Sequence, residues 1–192
     1  MRVIAGKYRS RPLRSLRGMD IRPTSDRLRE TLFNVLTAGS PEALAGSVWL
    51  DLFAGTGAVG IEALSRGAKQ VIFVESSDAA VEMIRKNLQG LGIVERFRIL
   101  QQDVQHGLRR IEQDHVIADV VFIDPPYRMR EGYTNTLQAL AESSMLGPRS
   151  VVVVEHEKNF DPGQDFGSLR RFRQLAQGGT VMSFYHRNRD EK

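Results

Sequence analysis

The chain has 192 residues, 41% of them hydrophobic and 26% charged, which suits one α/β domain with a small appendage and excludes two full catalytic domains. It contains no cysteine, so disulfides, thiolate nucleophiles, Cys-ligated zinc and covalent cysteine adducts on a substrate are excluded. The net charge of +4 hides an asymmetry. Residues 1–30 carry nine Lys/Arg against three acids, and the remainder carries 18 against 20. A basic arm on a near-neutral body suits a phosphate backbone, although a solvated basic surface would read the same way from composition alone. No apolar run approaches the ~20 residues of a membrane helix. The N-terminus is charged where a secretory signal would be apolar, so a cytoplasmic location away from membranes is expected.

In chain order, residues 3–8 and 11–13 read as short strands of a hairpin. A helix is expected after Arg22-Pro23-Thr24, capped by Ser25 or Asp26. Leu28, Leu32, Val35 and Leu36 form its apolar stripe, and Arg27, Glu30 and Asn34 a different face. Residues 39–41 end it. From residue 47 strand, turn and helix alternate, with strands at 48–51, 70–75, 97–101, 120–124 and 150–155. Helices are expected at 59–66, 79–88, 104–111 and 134–142, with Gly67, Gly90 and Gly92 where helices end. That alternation predicts a parallel sheet covered on both faces. Residues 172–176 and 180–184 then read as an antiparallel hairpin. The expected architecture is a basic hairpin-and-helix extension over 1–40 and an α/β, Rossmann-like domain over 41–192. Its sheet is mostly parallel and seven-stranded.

The first strand runs into Asp51-Leu52-Phe53-Ala54-Gly55-Thr56-Gly57. Gly55, Gly57 and Gly60 match the G-x-G-x-x-G spacing, and Glu75 lies 20 residues after Gly55, at the next strand's end. This is a nucleoside site at the carboxyl edge of a parallel sheet, the glycines letting backbone approach the ligand and the acid accepting from ribose hydroxyls. Asp51 would repel a pyrophosphate, which argues against a nicotinamide dinucleotide and an oxidoreductase, and it suits the cationic amino-acid end of S-adenosylmethionine. The five parallel strands with a closing hairpin point the same way. The expected cofactor-binding residues are Asp51, Phe53, Ala54, Gly55, Gly57, Glu75, Ser76, Asp103 and Val104. Asp103 reads equally as the cap of the following helix.

Residues 120–127 are a buried strand ending in Asp124-Pro125-Pro126-Tyr127. The prolines hold the backbone, so the Asp124 carboxylate and the Pro125 carbonyl are presented in fixed geometry. Two such acceptors can take both N–H groups of an exocyclic amine on a planar base, aim its lone pair at a sulfonium methyl and stabilise the positive charge that develops. Tyr127 would stack on the base. This loop serves adenine N6, cytosine N4, guanine N2 and protein glutamine alike, so it fixes the reaction and leaves the substrate open. His106, His115, His156 and His186 lack ligand spacing, and no metal is expected.

Residues 2–13 and 22–34, together with Asp51 to Gly57 and Asp124 to Tyr127, resemble the bacterial 16S ribosomal RNA guanine-N2 methyltransferase family, without departure in these four segments. The resemblance implies methylation of guanine N2 in 16S rRNA, on an assembled or nearly assembled small subunit, by a monomer. It implies RNA contacts from Arg2, Lys7, Arg9, Arg11, Arg22, Thr24 and Arg27. A structural pairing of Arg27 with Glu30 is the plainer alternative for that residue. Competing readings are a DNA adenine-N6 or cytosine-N4 methyltransferase, which would want a separate target-recognition domain, and a non-catalytic RNA-binding module, which would not need Asp124.

Overall fold

The computed structural model describes residues 1–15, 25–38, 40 and 42–188. Alternating apolar and β-branched runs give strands β1 (Val48–Leu52), β2 (Gln70–Glu75), β3 (Phe97–Gln101), β4 (Ala118–Ile123) and β5 (Leu146–Glu157). Between them run helices α2 (Ala58–Ser65), α3 (Asp78–Gly90), α4 (Val104–Gln113) and α5 (Arg130–Glu142), preceded by α1 (Asp26–Thr37). Ser25 caps α1, its hydroxyl accepting from the Leu28 N–H. The chain closes with β6 (Asp165–Phe166), β7 (Leu169–Gln177) and β8 (Thr180–Arg187).

All eight strands form one sheet in the order β3-β2-β1-β4-β5-β8-β7-β6. The first five are parallel, and β8, β7 and β6 add antiparallel. The expected sheet of seven becomes eight because the two-residue β6, too short to show a period, pairs Asp165 with Arg170 and Phe166 with Leu169. β5 starts four residues before its expected start, Leu146 pairing with Ala118 before an irregularity in the register. β7 is bulged between Arg171 and Arg173.

One face of the sheet packs Leu28, Leu32 and Phe33 of α1 and Ile84 and Leu88 of α3 against Trp49, Phe73 and Phe122. The other face packs Val104, Leu108 and Ile111 of α4 and Tyr133, Leu137 and Leu140 of α5 against Leu50, Ile72 and Val121. Every residue of α2 is buried. That helix lies so close to β2 that a Cβ on Gly60 would come within 2.4 Å of Phe73 Cε1 and 2.7 Å of Val71 Cγ1. The N-terminal hairpin is reduced to one antiparallel bridge, Arg2 with Pro12, and Val3 and Leu13 bury their side chains in the first core. Among the described residues no helix is long and apolar enough to cross a membrane.

Because nothing beneath Gly60 can yield without moving the core, Gly60→Ala should destabilise the protein by about 1–3 kcal/mol, the range of an overpacked core. Urea unfolding of the two proteins would measure it.

Candidate active site

The strand order reverses between β1 and β4, which opens a crevice at the carboxyl ends of the parallel strands. Four acids stand there: Asp51 on β1, Glu75 on β2, Asp103 after β3 and Asp124 after β4. The loop between β1 and α2 is built to pass them. Phe53 adopts a left-handed backbone with φ 58°, and the Ala54 N–H donates to Val74 O at 3.1 Å. Gly57, at φ 75°, then turns the chain into α2. Glu75 fixes this loop from below. One of its oxygens accepts the Gly55 N–H and the other the Ser77 N–H, both at 2.8 Å.

Asp51 is almost wholly buried and accepts the Gly60 N–H, in the first turn of α2, at 2.8 Å. Burial pushes its carboxyl up to about 7, opposed by the Gly60 hydrogen bond and aided by the nearby Glu75. Asp103 proves to be the cap of α4, accepting from the His106 N–H at 3.0 Å and also bonding His106 Nδ1. The His106 backbone bond is the main reason its carboxyl lies below the usual range. It remains exposed at the cavity rim, so both roles weighed for it are open.

β4 ends at Ile123, one residue earlier than expected, and Asp124-Pro125-Pro126-Tyr127 leaves the sheet edge as a loop. Its return is a tight turn, with the Met129 N–H donating to Pro126 O at 2.7 Å. The buried Tyr133 of α5 donates its hydroxyl to Pro125 O at 3.3 Å. Burial, and next the neighbouring Asp124, drive the Tyr133 phenol well above its usual range, so it stays a donor.

These segments surround one cavity of about 760 Å³. Asp51, Phe53, Ala54, Gly55, Glu75, Ser76, Asp103 and Val104 line it, and so do Asp124, Pro125, Pro126 and Tyr127. Gly57 is the one expected residue that does not: a Cβ there would meet Ile84 and Phe73 in the core, so its contribution is the turn. Sequence reasoning missed Gln102, Asn135 and Thr136, which line the same space. Gln102 Nε2 and Thr136 Oγ1 are buried and have no hydrogen-bond partner among the described residues. Thr136 escaped notice because it falls inside a helix, where a hydroxyl ordinarily bonds back to its own turn.

The basic residues divide. Arg2, Arg9 and Arg27 line a second cavity of about 410 Å³ with Ser10, Asp26 and Glu30. Lys7 is exposed, with its Nζ 5.5 Å from the Tyr8 ring centre. Arg11 turns away and donates to Gly90 O at the end of α3, at 3.0 Å. Arg22 and Thr24 lie outside the described residues. Three polar residues that the sequence did not single out join this arm to the first cavity. Arg29, fully buried, donates to Arg2 O at 2.7 Å and to Ala58 O at 3.4 Å, and pairs with Asp26. Glu62 of α2 accepts the N–H groups of Ile4 at 2.7 Å and Ala5 at 3.0 Å. Asn87 of α3 accepts from the Arg14 N–H and donates to Arg14 O and, at 3.0 Å, to Thr56 O in the glycine loop.

The family model described as conserved hypothetical protein 95 matches residues 1–186. The chain belongs to this family. Proteins similar to it include ribosomal RNA small subunit methyltransferase D of Haemophilus influenzae, 38% identical over 83% of this chain and 80% of the relative. The Escherichia coli protein of the same name is 34% identical over 82% of this chain and 75% of its own. The solved Escherichia coli yhhF structure superposes with a TM-score of 0.80 at 29% identity, covering 99% of both chains. A hypothetical protein of Thermus thermophilus gives 0.79 at 25% identity over 96% of this chain and 98% of its own.

In this member of the conserved hypothetical protein 95 family, Asp51 makes ligand-free stability depend on pH. Its folded pKa of about 7 exceeds the ordinary carboxyl value of 3.8, so the native state holds a proton that the unfolded state has released. Asp51 therefore costs stability progressively as pH rises from about 4 to about 7, the cost being fully present above that window and absent below it. Asp51→Asn should flatten this part of the profile and be the more stable protein at pH 8. Thermal melts of both proteins across that range would test it, and parallel profiles would refute it.

Proposed function

We propose that this chain transfers a methyl group from S-adenosylmethionine to the exocyclic N2 of a specific guanine in 16S ribosomal RNA. The observation that carries the reading is the common cavity. The glycine loop with its acids and the Asp124-Pro125-Pro126-Tyr127 loop open into one space, which allows a nucleoside cofactor and an amino group to meet. The names of the Haemophilus and Escherichia coli relatives support ribosomal RNA of the small subunit as the target class.

The residues present fit that cofactor. Glu75, whose two oxygens are already oriented by backbone N–H groups, would accept from ribose hydroxyls through its remaining lone pairs. Asp51 supplies a carboxylate for a cationic amino group, which would favour its ionised form on binding. The partnerless Gln102 amide and Thr136 hydroxyl offer polar atoms that a nucleoside could satisfy. When bound, the cofactor supplies an electrophilic methyl on a sulfonium.

Asp124 and the Pro125 carbonyl then accept the two N–H groups of the target amine and direct its lone pair, while Tyr127 stacks on the base. Once nitrogen carries the methyl, the carboxylate stabilises its charge and the proton leaves to Asp124 or to water. The guanine must be unpaired or turned out of its helix to reach this loop. The extension over residues 1–40 supplies RNA contacts through Arg2, Lys7, Arg9 and Arg27, and through Arg22 and Thr24 of the segment outside the described residues. Arg11 contributes less, because its guanidinium is held at the end of α3. The substrate is an assembled or nearly assembled subunit, acted on by a monomer.

Labelled methyl transfer onto unmethylated small subunits, naked 16S rRNA, tRNA and DNA, followed by nucleoside analysis, should yield N2-methylguanosine from RNA, best from subunits. Label in N6-methyladenine would overturn the substrate. Asp124→Ala should lower turnover by about 10²–10³-fold and leave S-adenosylhomocysteine binding within a few-fold. Replacing Arg2, Arg9 or Arg27 by Ala should each reduce the salt dependence of RNA binding by about one counterion.

A further inference from the structure

The Pro125 carbonyl is held from two sides. It belongs to a proline-locked loop, and it also accepts a hydrogen bond from a residue outside that loop, the Tyr133 hydroxyl in the first turns of α5. Tyr133 is 1% exposed, and its ring packs on Phe160 with centroids 5.0 Å apart, so the phenol has a fixed position from which to donate. The helix reinforces this closeness one residue earlier. At Gly132 a Cβ would touch Met129 Cγ at 3.0 Å and Pro125 Cβ at 3.4 Å, so the loop lies directly on the start of α5. The bond comes from the buried side, whereas Pro125 itself borders the cavity.

We propose that Tyr133 is a positioning residue for methyl transfer: its hydroxyl holds the Pro125 carbonyl so that the remaining lone pair faces the amine. This rests on the function proposed above. A carbonyl oxygen has two acceptor sites, and occupying one with a rigid donor restricts how the peptide plane can tilt. The amine must lose its conjugation in one defined direction, so a swinging acceptor would orient its lone pair poorly even with the substrate bound. The restraint therefore acts on turnover and leaves both ligands' binding groups in place. Pro125 and this hydrogen bond are both buried, so the melting temperature is the readout that separates a bond lost to the fold from a loss of positioning. Tyr133→Phe keeps the ring against Phe160 and removes only the donor.

The experiment is steady-state transfer from labelled S-adenosylmethionine to unmethylated small subunits by wild type, by Tyr133→Phe and by protein carrying 4-aminophenylalanine at position 133, which restores an N–H donor. Calorimetric S-adenosylhomocysteine binding and melting temperatures are measured alongside. We expect kcat to fall about tenfold in the Phe variant with KM and cofactor Kd within about twofold, and the amino analogue to regain most of the loss. An unchanged kcat would overturn the inference while leaving the proposed function intact. A loss shared equally by KM, cofactor Kd and melting temperature would overturn it as well, because Tyr133 would then be holding the fold. Wild type that methylates no RNA would sink the function and this inference together.

Discussion

The eight residues of α2 are buried on every side, and their polar groups join the two working parts of the molecule. At its start, Gly60 N–H binds the Asp51 carboxylate and Ala58 O receives Arg29. Further along, Glu62 takes two N–H groups from the N-terminal arm, and Ser65 O takes the N–H of Lys7. A helix this short could not persist alone in water, so its register comes from packing against β2 and from these polar attachments. Glycine at position 60 lets the backbone approach the sheet, and the same residue's N–H reaches Asp51. Close packing and electrostatics are thus satisfied by one peptide unit.

A gradient of charge accompanies this arrangement. Carboxylates collect at the strand ends, and guanidinium groups collect on the N-terminal arm. Asp51 is the extreme case. Buried beside one backbone donor, the Gly60 N–H, it is poised near neutrality, whereas Asp103, exposed and hydrogen-bonded, is ionised well below that. The site pairs a costly buried carboxylate on β1 with an exposed, readily ionised one after β3, on the far side of β2.

Much of this was legible in the residues. β2 and β3 have the predicted bounds because their apolar runs stop at Glu75 and Gln101, and α2 follows Gly57 because the glycine spacing demands a turn there. The strand-end acids and the Asp-Pro-Pro-Tyr loop meet in one cavity, as a parallel sheet with this order requires. What escaped prediction depends on contacts distant in sequence. In the sequence Arg29 counts only as one charge of the basic arm, yet it is buried because Arg2 O and Ala58 O, 27 and 29 positions away, supply it with acceptors. Asn87 interrupts an amphipathic helix for a similar reason, since its partners Arg14 and Thr56 come from other elements. α5 begins at Arg130, ahead of the expected 134, because its first turn packs on the loop from Asp124 to Tyr127 and displays no apolar stripe of its own.

The hairpin that closes the sheet raises a matter of solubility. β6 pairs with only the first two residues of β7, so among the described residues the outer edge of β7 from Phe172 onward has no neighbouring strand. An open, flat edge carrying an exposed aromatic invites another molecule to add a strand. Here the bulge between Arg171 and Arg173 breaks the regular ladder, and Arg173 places positive charge beside it, whereas Arg170 and Arg171 pair with Asp165 and Asp161. Two copies approaching edge to edge would meet a broken register and like charges. The irregular, arginine-rich strand therefore guards the folded protein against its own aggregation.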